Sequence, residues 1–177
     1  MRFLPTNLAG AYVIEPEPRT DERGLFARTY CRDEFATHGL NTTWVQCNVS
    51  FNRLRCTLRG MHWQAEPHAE VKLVRCTRGA AFDVIADLRP DSPTCRQWVG
   101  VELTAENRRT VYIPAGFAHG FQTLADDTEL FYQMSEFYHP DLARGARWDD
   151  PALGIEWPPA AHRVIAARDL SFPDLPT

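Results

Sequence analysis

The sequence predicts an all-β protein, a sandwich or small barrel, with helix confined to the flanks. That expectation rests on three features. Between Thr43 and Tyr138, short runs rich in β-branched and aromatic residues alternate with turns containing Gly, Pro or Asp. The 177 residues, 44% hydrophobic and 24% charged, have the size and composition of one globular domain, expected to span 1–177. No internal repeat, linker or low-complexity stretch divides the chain.

Taken in order, the N-terminal segment Arg2–Arg28 carries enough apolar and aromatic residues to pair as strands with a neighbouring copy. Arg32–His38, closed by Gly39, reads as a short helix. Strands are expected at Thr43–Ser50, Glu70–Cys76, Ala80–Leu88, Gln97–Leu103, Thr110–Pro114, His119–Leu124 and Glu129–Tyr138. A weaker helical piece falls at Ala160–Arg168.

Composition narrows the function. A net charge of -4 argues against a nucleic-acid partner, so an anionic ligand would need a local arginine cluster. The five cysteines are scattered, odd in number and without a CxxC pair, which suits reduced thiols. The first residues lack the apolar run of a signal peptide, and no stretch approaches the ~20 apolar residues of a membrane span. A cytoplasmic protein without a membrane partner is expected. Of the nineteen basic residues, Lys72 is the only lysine.

Successive side chains of a strand point to opposite faces. In EVKLVRC, Lys72 therefore shares a face with Val74 and Cys76, which directs it toward a cavity. In ELFYQMSEFY, the residues Leu130, Tyr132, Met134, Glu136 and Tyr138 share a face, so two tyrosines can look into one interior.

Three segments could carry chemistry. LRGMHWQ places His62 two residues after Gly60, which allows close backbone approach, in an apolar neighbourhood open to packing or to function. IPAGFAHGF has the Pro-x-Gly-x-x-His pattern of the second motif of a cupin barrel. A mononuclear cupin metal site needs three or four N/O ligands, usually including a His-x-His pair. Here the pair reads His62-Trp63-Gln64, so a cavity that works without a metal is expected. The C-terminal part holds RWDDP and Asp169, a lone carboxylate that could be solvated or functional. Together these residues suit proton transfer beside a ketone: a base abstracts, a cation stabilises the enolate and a different acid returns the proton to the opposite face. His62 held by Asp169, Lys72 and Tyr132 would fill those roles.

DERGLFARTY, QCNVS, LRGMHWQ, PHAEVKLV, DLRPDSPT, IPAGFAHGF, the Tyr132 and Tyr138 pair before Pro140, RWDDP and Asp169 occur in an order that resembles the dTDP-4-dehydrorhamnose 3,5-epimerase family, over about residues 3–173. The resemblance implies a cupin-type jelly roll, a homodimer with no metal or other cofactor, and a nucleotide-linked 4-keto-6-deoxy sugar as substrate. It implies inversion at C-3 and C-5, from dTDP-4-dehydro-6-deoxy-glucose to dTDP-4-dehydro-rhamnose. By the same resemblance His62 matches the base, Asp169 its orienting carboxylate, Lys72 the enolate-stabilising lysine and Tyr132 the proton donor. Arg23, Phe26, Gln46, Asn48, Arg59, His119 and Tyr138 match substrate-lining positions, and Arg168 keeps the charge of a common lysine. The arginines Arg23 and Arg59 would supply bidentate diphosphate contacts in an acidic chain.

Two positions depart from the family pattern: Arg28 and Ala143 stand where glutamates are common, at the nucleotide end. A C-3-only epimerase or one acting on a CDP- or GDP-linked sugar is the nearest alternative. A metal-dependent cupin dioxygenase and a non-catalytic sugar-binding cupin are more remote ones.

Overall fold

The computed structural model describes residues 1–176. The chain opens with β1 (Arg2–Pro5), β2 (Tyr12–Glu15), β3 (Arg19–Asp21) and β4 (Gly24–Phe26), followed by helix α1 (Arg32–Thr37). The main body is β5 (Gln46–Asn52), β6 (Thr57–Gln64), β7 (Lys72–Arg78), β8 (Ala80–Asp87), β9 (Trp98–Thr104), β10 (Thr110–Ile113), β11 (Phe117–Thr123) and β12 (Thr128–Met134). β13 (Ala143–Gly145), β14 (Val164–Ile165) and helix α2 (Ala167–Leu170) complete it.

Two sheets face each other. One runs β1-β2-β10-β7-β12-β5 and the other β13-β6-β11-β8-β9, with β14 added parallel to β6. Period two sorts their side chains: Val74, Cys76, Ile85, Val111, Phe121 and Leu130 fill the space between the sheets. On the outer side of the first sheet, Leu73, Ile14 and Tyr112 pack with Phe35 of α1. On the outer side of the second, Met61, Val84 and Ala118 are covered by Ala146 and Leu153 of the C-terminal segment. The result is the all-β, cupin-type jelly roll that the sequence predicts. Lys72 lies where period two puts it, 6% exposed on the inner face with Val74 and Cys76.

The DLRPDSPT segment is organised by Asp87, whose buried carboxylate accepts hydrogen bonds from Arg89, Ser92 and Thr94. Burial opposes its ionisation, but these donors outweigh that cost and hold the carboxyl well below the usual range.

Several expectations are corrected. β2 pairs with both β1 and β10 inside this chain, so only the β3–β4 hairpin of the N-terminal segment stands apart from the two main sheets. LRGMHWQ is itself strand β6. The last expected strand stops at Met134, so Glu136 and Tyr138 do not continue the face of Tyr132. There the ladder gives way to side chains: Gln64 accepts from the His139 N–H and donates to the Phe137 carbonyl. The Ala160–Arg168 helix does not form. Val164 and Ile165, both β-branched, join the edge of β6, and the short helix begins only at Ala167.

Candidate active site

The cavity lies between the sheets and owes its shape to an irregularity in β6. His119 pairs with His62 and Phe121 pairs with Arg59, so two steps along β11 oppose three along β6. In a regular strand Arg59 and His62 would face opposite ways. The extra residue shifts the phase, and both line the same cavity. Backbones are close here: a Cβ on Gly60, at φ +121°, would lie 2.5 Å from the Gly120 Cα, so no larger residue fits.

The cavity measures about 220 Å3 and is lined by Asn48, Arg59, His62, Lys72, His119 and Tyr132, together with Val49, Ser50, Gly120, Phe121 and Met134. His62 and His119 come from one sheet, and Asn48, Lys72 and Tyr132 from the other. A smaller adjoining hollow shares His62 and Lys72 and adds Tyr138 and Arg168. Gln46 contributes indirectly, its Oε1 accepting the Tyr138 N–H at 3.3 Å.

Asp169 is 4% exposed and reaches from α2 to His62, with Oδ1 2.8 Å from Nε2, while its Oδ2 accepts the Gly60 N–H at 3.2 Å. Burial opposes ionisation of Asp169. The hydrogen bond and charge of His62, the Gly60 N–H and nearby Arg168 outweigh it and keep the carboxyl below its ordinary range. Lys72 Nζ sits 3.1 Å from Glu70 Oε1 and donates to the His62 carbonyl at 3.3 Å. Burial pushes the Tyr132 phenol above its usual range, reinforced by Asp83 and opposed by Arg59. Among the described residues, no acceptor or donor reaches the Tyr132 hydroxyl. Such a cavity can take a proton from one side and return one from the other.

Two expected residues lie elsewhere. Arg23 and Phe26 border a groove on the β3–β4 hairpin, where Arg23 bonds Asp21 and Phe26 is 78% exposed. Conversely, sequence reasoning missed Asp83, Glu70 and Asn52. Asp83 Oδ2 holds His119 Nε2 at 2.8 Å, and Asn52 Oδ1 accepts from Arg59 Nε at 2.8 Å. A carboxylate flanked by Phe82 and Val84 in the middle of the apolar run AAFDVIADL, and an acid two residues before Lys72 on the same face, were the available signals.

Gln64, where a metal-binding cupin places its second histidine, donates from Nε2 to the His68 and Phe137 carbonyls and accepts from the His139 N–H, so its amide is engaged by two loops.

An all-β barrel with acid–base groups on both walls of one cavity defines an isomerase of the cupin-type epimerase class. The comparisons make the assignment more particular. The family model for dTDP-4-dehydrorhamnose 3,5-epimerase matches residues 5–177, and the chain belongs to that family. It is 49% identical over 157 residues to the dTDP-4-dehydrorhamnose 3,5-epimerase of Methanothermobacter thermautotrophicus, covering 89% of this chain and 84% of that protein. The crystal structure of the Bacillus anthracis dTDP-4-dehydrorhamnose 3,5-epimerase, with TDP and PPi bound, superposes with a TM-score of 0.94 at 40% identity, covering 98% of this chain and 99% of that one. A 3'-monoepimerase from Streptomyces bikiniensis in complex with dTDP-quinovose gives 0.90 at 34% identity, covering 97% and 86%.

Proposed function

We propose that the chain inverts C-3 and C-5 of a dTDP-linked 4-keto-6-deoxy sugar, converting dTDP-4-dehydro-6-deoxy-glucose to dTDP-4-dehydro-rhamnose. The observation that carries this reading is the placement of His62, backed by Asp169, on the wall opposite Lys72 and Tyr132.

His62 is the base. With its Nε2–H donated to Asp169, Nδ1 is left to accept a proton from the carbon beside the ketone, and the C–H electron pair becomes the enolate. Lys72, held near Glu70, supplies positive charge to the enolate oxygen. Tyr132 returns a proton from the other sheet, hence to the other face of the sugar. The tyrosinate and imidazolium then re-equilibrate with water. Arg59, fixed by Asn52, together with Asn48 and His119, holds the sugar nucleotide, and Tyr138 and Arg168 border its path through the adjoining hollow.

We propose further that two copies associate. The hairpin carrying Arg23 and Phe26 and the β5 edge carrying Val49 and Phe51 leave apolar side chains exposed, and a second copy bringing its hairpin to this cavity would unite all the expected substrate contacts. The chain acts as one unit, 1–177, in the cytoplasm. Its cysteines are free, and no helix among the described residues is long and apolar enough to cross a membrane.

Incubation with the 4-keto-6-deoxyglucose nucleotide in heavy water, read by NMR, tests the reaction. Deuterium at both carbons with inverted product is expected. Deuterium at C-3 alone would replace this reading with a 3-epimerase, and none at either carbon would overturn it.

A further inference from the structure

Outside the cavity, the segments following β6 and β12 bring His68, Glu136 and His139 together. One potential ligand atom from each lies within 4.8 Å of the other two. His68 Nδ1 is 3.3 Å from Glu136 Oε2, and the two imidazoles stack at 3.9 Å with an interplanar angle of 16°. All three side chains are half-buried and reachable from solvent.

The backbone beneath them is braced. Gln64, only 3% exposed, donates to the His68 carbonyl at 2.6 Å and the Phe137 carbonyl at 3.0 Å, and accepts from the His139 N–H at 2.8 Å. Glu136 Oε1 accepts the Phe137 N–H at 2.7 Å, which leaves Oε2 turned toward His68. Hydrogen bonds from Phe137 and His68 also favour the ionised carboxylate.

We propose that His68, Glu136 and His139 form a binding site for one divalent transition-metal ion of the Zn2+ type, separate from the catalytic cavity. Two imidazoles and a carboxylate are an N/O set that suits zinc, with water completing the coordination. Stacked rings hold their lone pairs side by side, so closing on an ion at ~2.0–2.1 Å requires the rings to turn, and their exposed edges permit it. Bound there, the ion joins the segment leading to Lys72 with the segment carrying Tyr138. The proposal stands on these three residues and is independent of the catalytic reading.

The test is a titration of the metal-stripped full chain with Zn2+ by calorimetry, alongside His68→Ala, Glu136→Gln and His139→Ala. Gln64 bonds the backbone of His68, Phe137 and His139, so these side-chain changes leave the brace in place, and thermal melts of each variant verify folding. One ion per chain is expected, with affinity at least ~10-fold weaker in every variant. Affinity should also fall as pH drops and protons compete for the imidazoles. Absence of saturable uptake would overturn the site, and unchanged affinity in any one variant would overturn it by assigning binding to thiols or other histidines.

Discussion

His62 with Asp169 and His119 with Asp83 are the same chemical pair built twice, on neighbouring strands and in direct register. Their surroundings differ. The His62 and Asp169 side chains are 41% and 6% exposed, whereas those of His119 and Asp83 are 5% and 0%. An imidazole open to the cavity can meet substrate and change its charge. One sealed on nearly every side is held in place, and among the described residues Asp83 Oδ1 is buried without a partner, which leaves the bond from Oδ2 to His119 as the side chain's hydrogen bond. Burial, more than the identity of the residues, separates the proposed base from its counterpart on β11.

The widest separation should come from His62→Ala, which is expected to abolish deuterium exchange at both carbons, a loss at or beyond the upper end of the ~10²–10⁴-fold worth of a general base. Its melting temperature should move little, because the vacated space admits water to Asp169. Exchange at the wild-type rate would reassign the base.

Tyr132→Phe should uncouple the two proton transfers. Exchange at C-3 survives with retained configuration, since His62 can return a proton only to the face it came from, while net epimerisation falls by ~10²–10⁴-fold. An unchanged ratio of epimerisation to exchange, measured by NMR on one sample, would remove Tyr132 as donor.

His119→Ala probes the sealed pair. It leaves the Asp83 carboxylate buried and unpaired, so a stability loss of ~3–5 kcal/mol is expected by denaturant titration. A loss below about 1 kcal/mol would mean that the two pairs are energetically alike.

Asp169→Asn should be milder than His62→Ala, lowering turnover by about 10²-fold, because an amide still orients the ring but does not stabilise the imidazolium. The smallest effect concerns acid. Asp169 and Asp87 both have lowered carboxyl pKa values in the folded chain, so their stabilisation is present above the ordinary aspartate value of ~3.9 and is lost as pH falls through the folded-state values. Thermal melts should be level from neutral pH to about 5 and drop below about 4. Asp87→Asn should be less stable at neutral pH and show a shallower acid decline.

Much of this was legible in the sequence, because period two and turn residues are local signals. The face of Lys72 and the short helix before Gly39 follow from neighbours within four residues. The bulge in β6 was hidden, since counting by twos separates Arg59 from His62. Tyr138 was misplaced for a related reason: its strand ends when Gln64, 74 residues earlier in the chain, captures the backbone around it. Val164 and Ile165 became a strand because an open edge of β6 was available. Arg23 and Phe26 were recognised by resemblance, yet a single chain does not bring them to the cavity.

Lys72, pinned between Glu70 and a carbonyl, leaves the molecule with an unusually short inventory of amines. A chain with eighteen arginines and one lysine offers such a reagent two sites, the cavity ammonium and the Met1 amino group. Both are paired with carboxylates, Lys72 with Glu70 and the Met1 amino group with Glu17 and Glu34, but of the two only Lys72 lines the cavity. Acylation of Lys72 is therefore a titration of the cavity itself: the label enters when the site is vacant, is excluded when a sugar nucleotide fills it, and reports occupancy with no chromophore and no catalytic turnover.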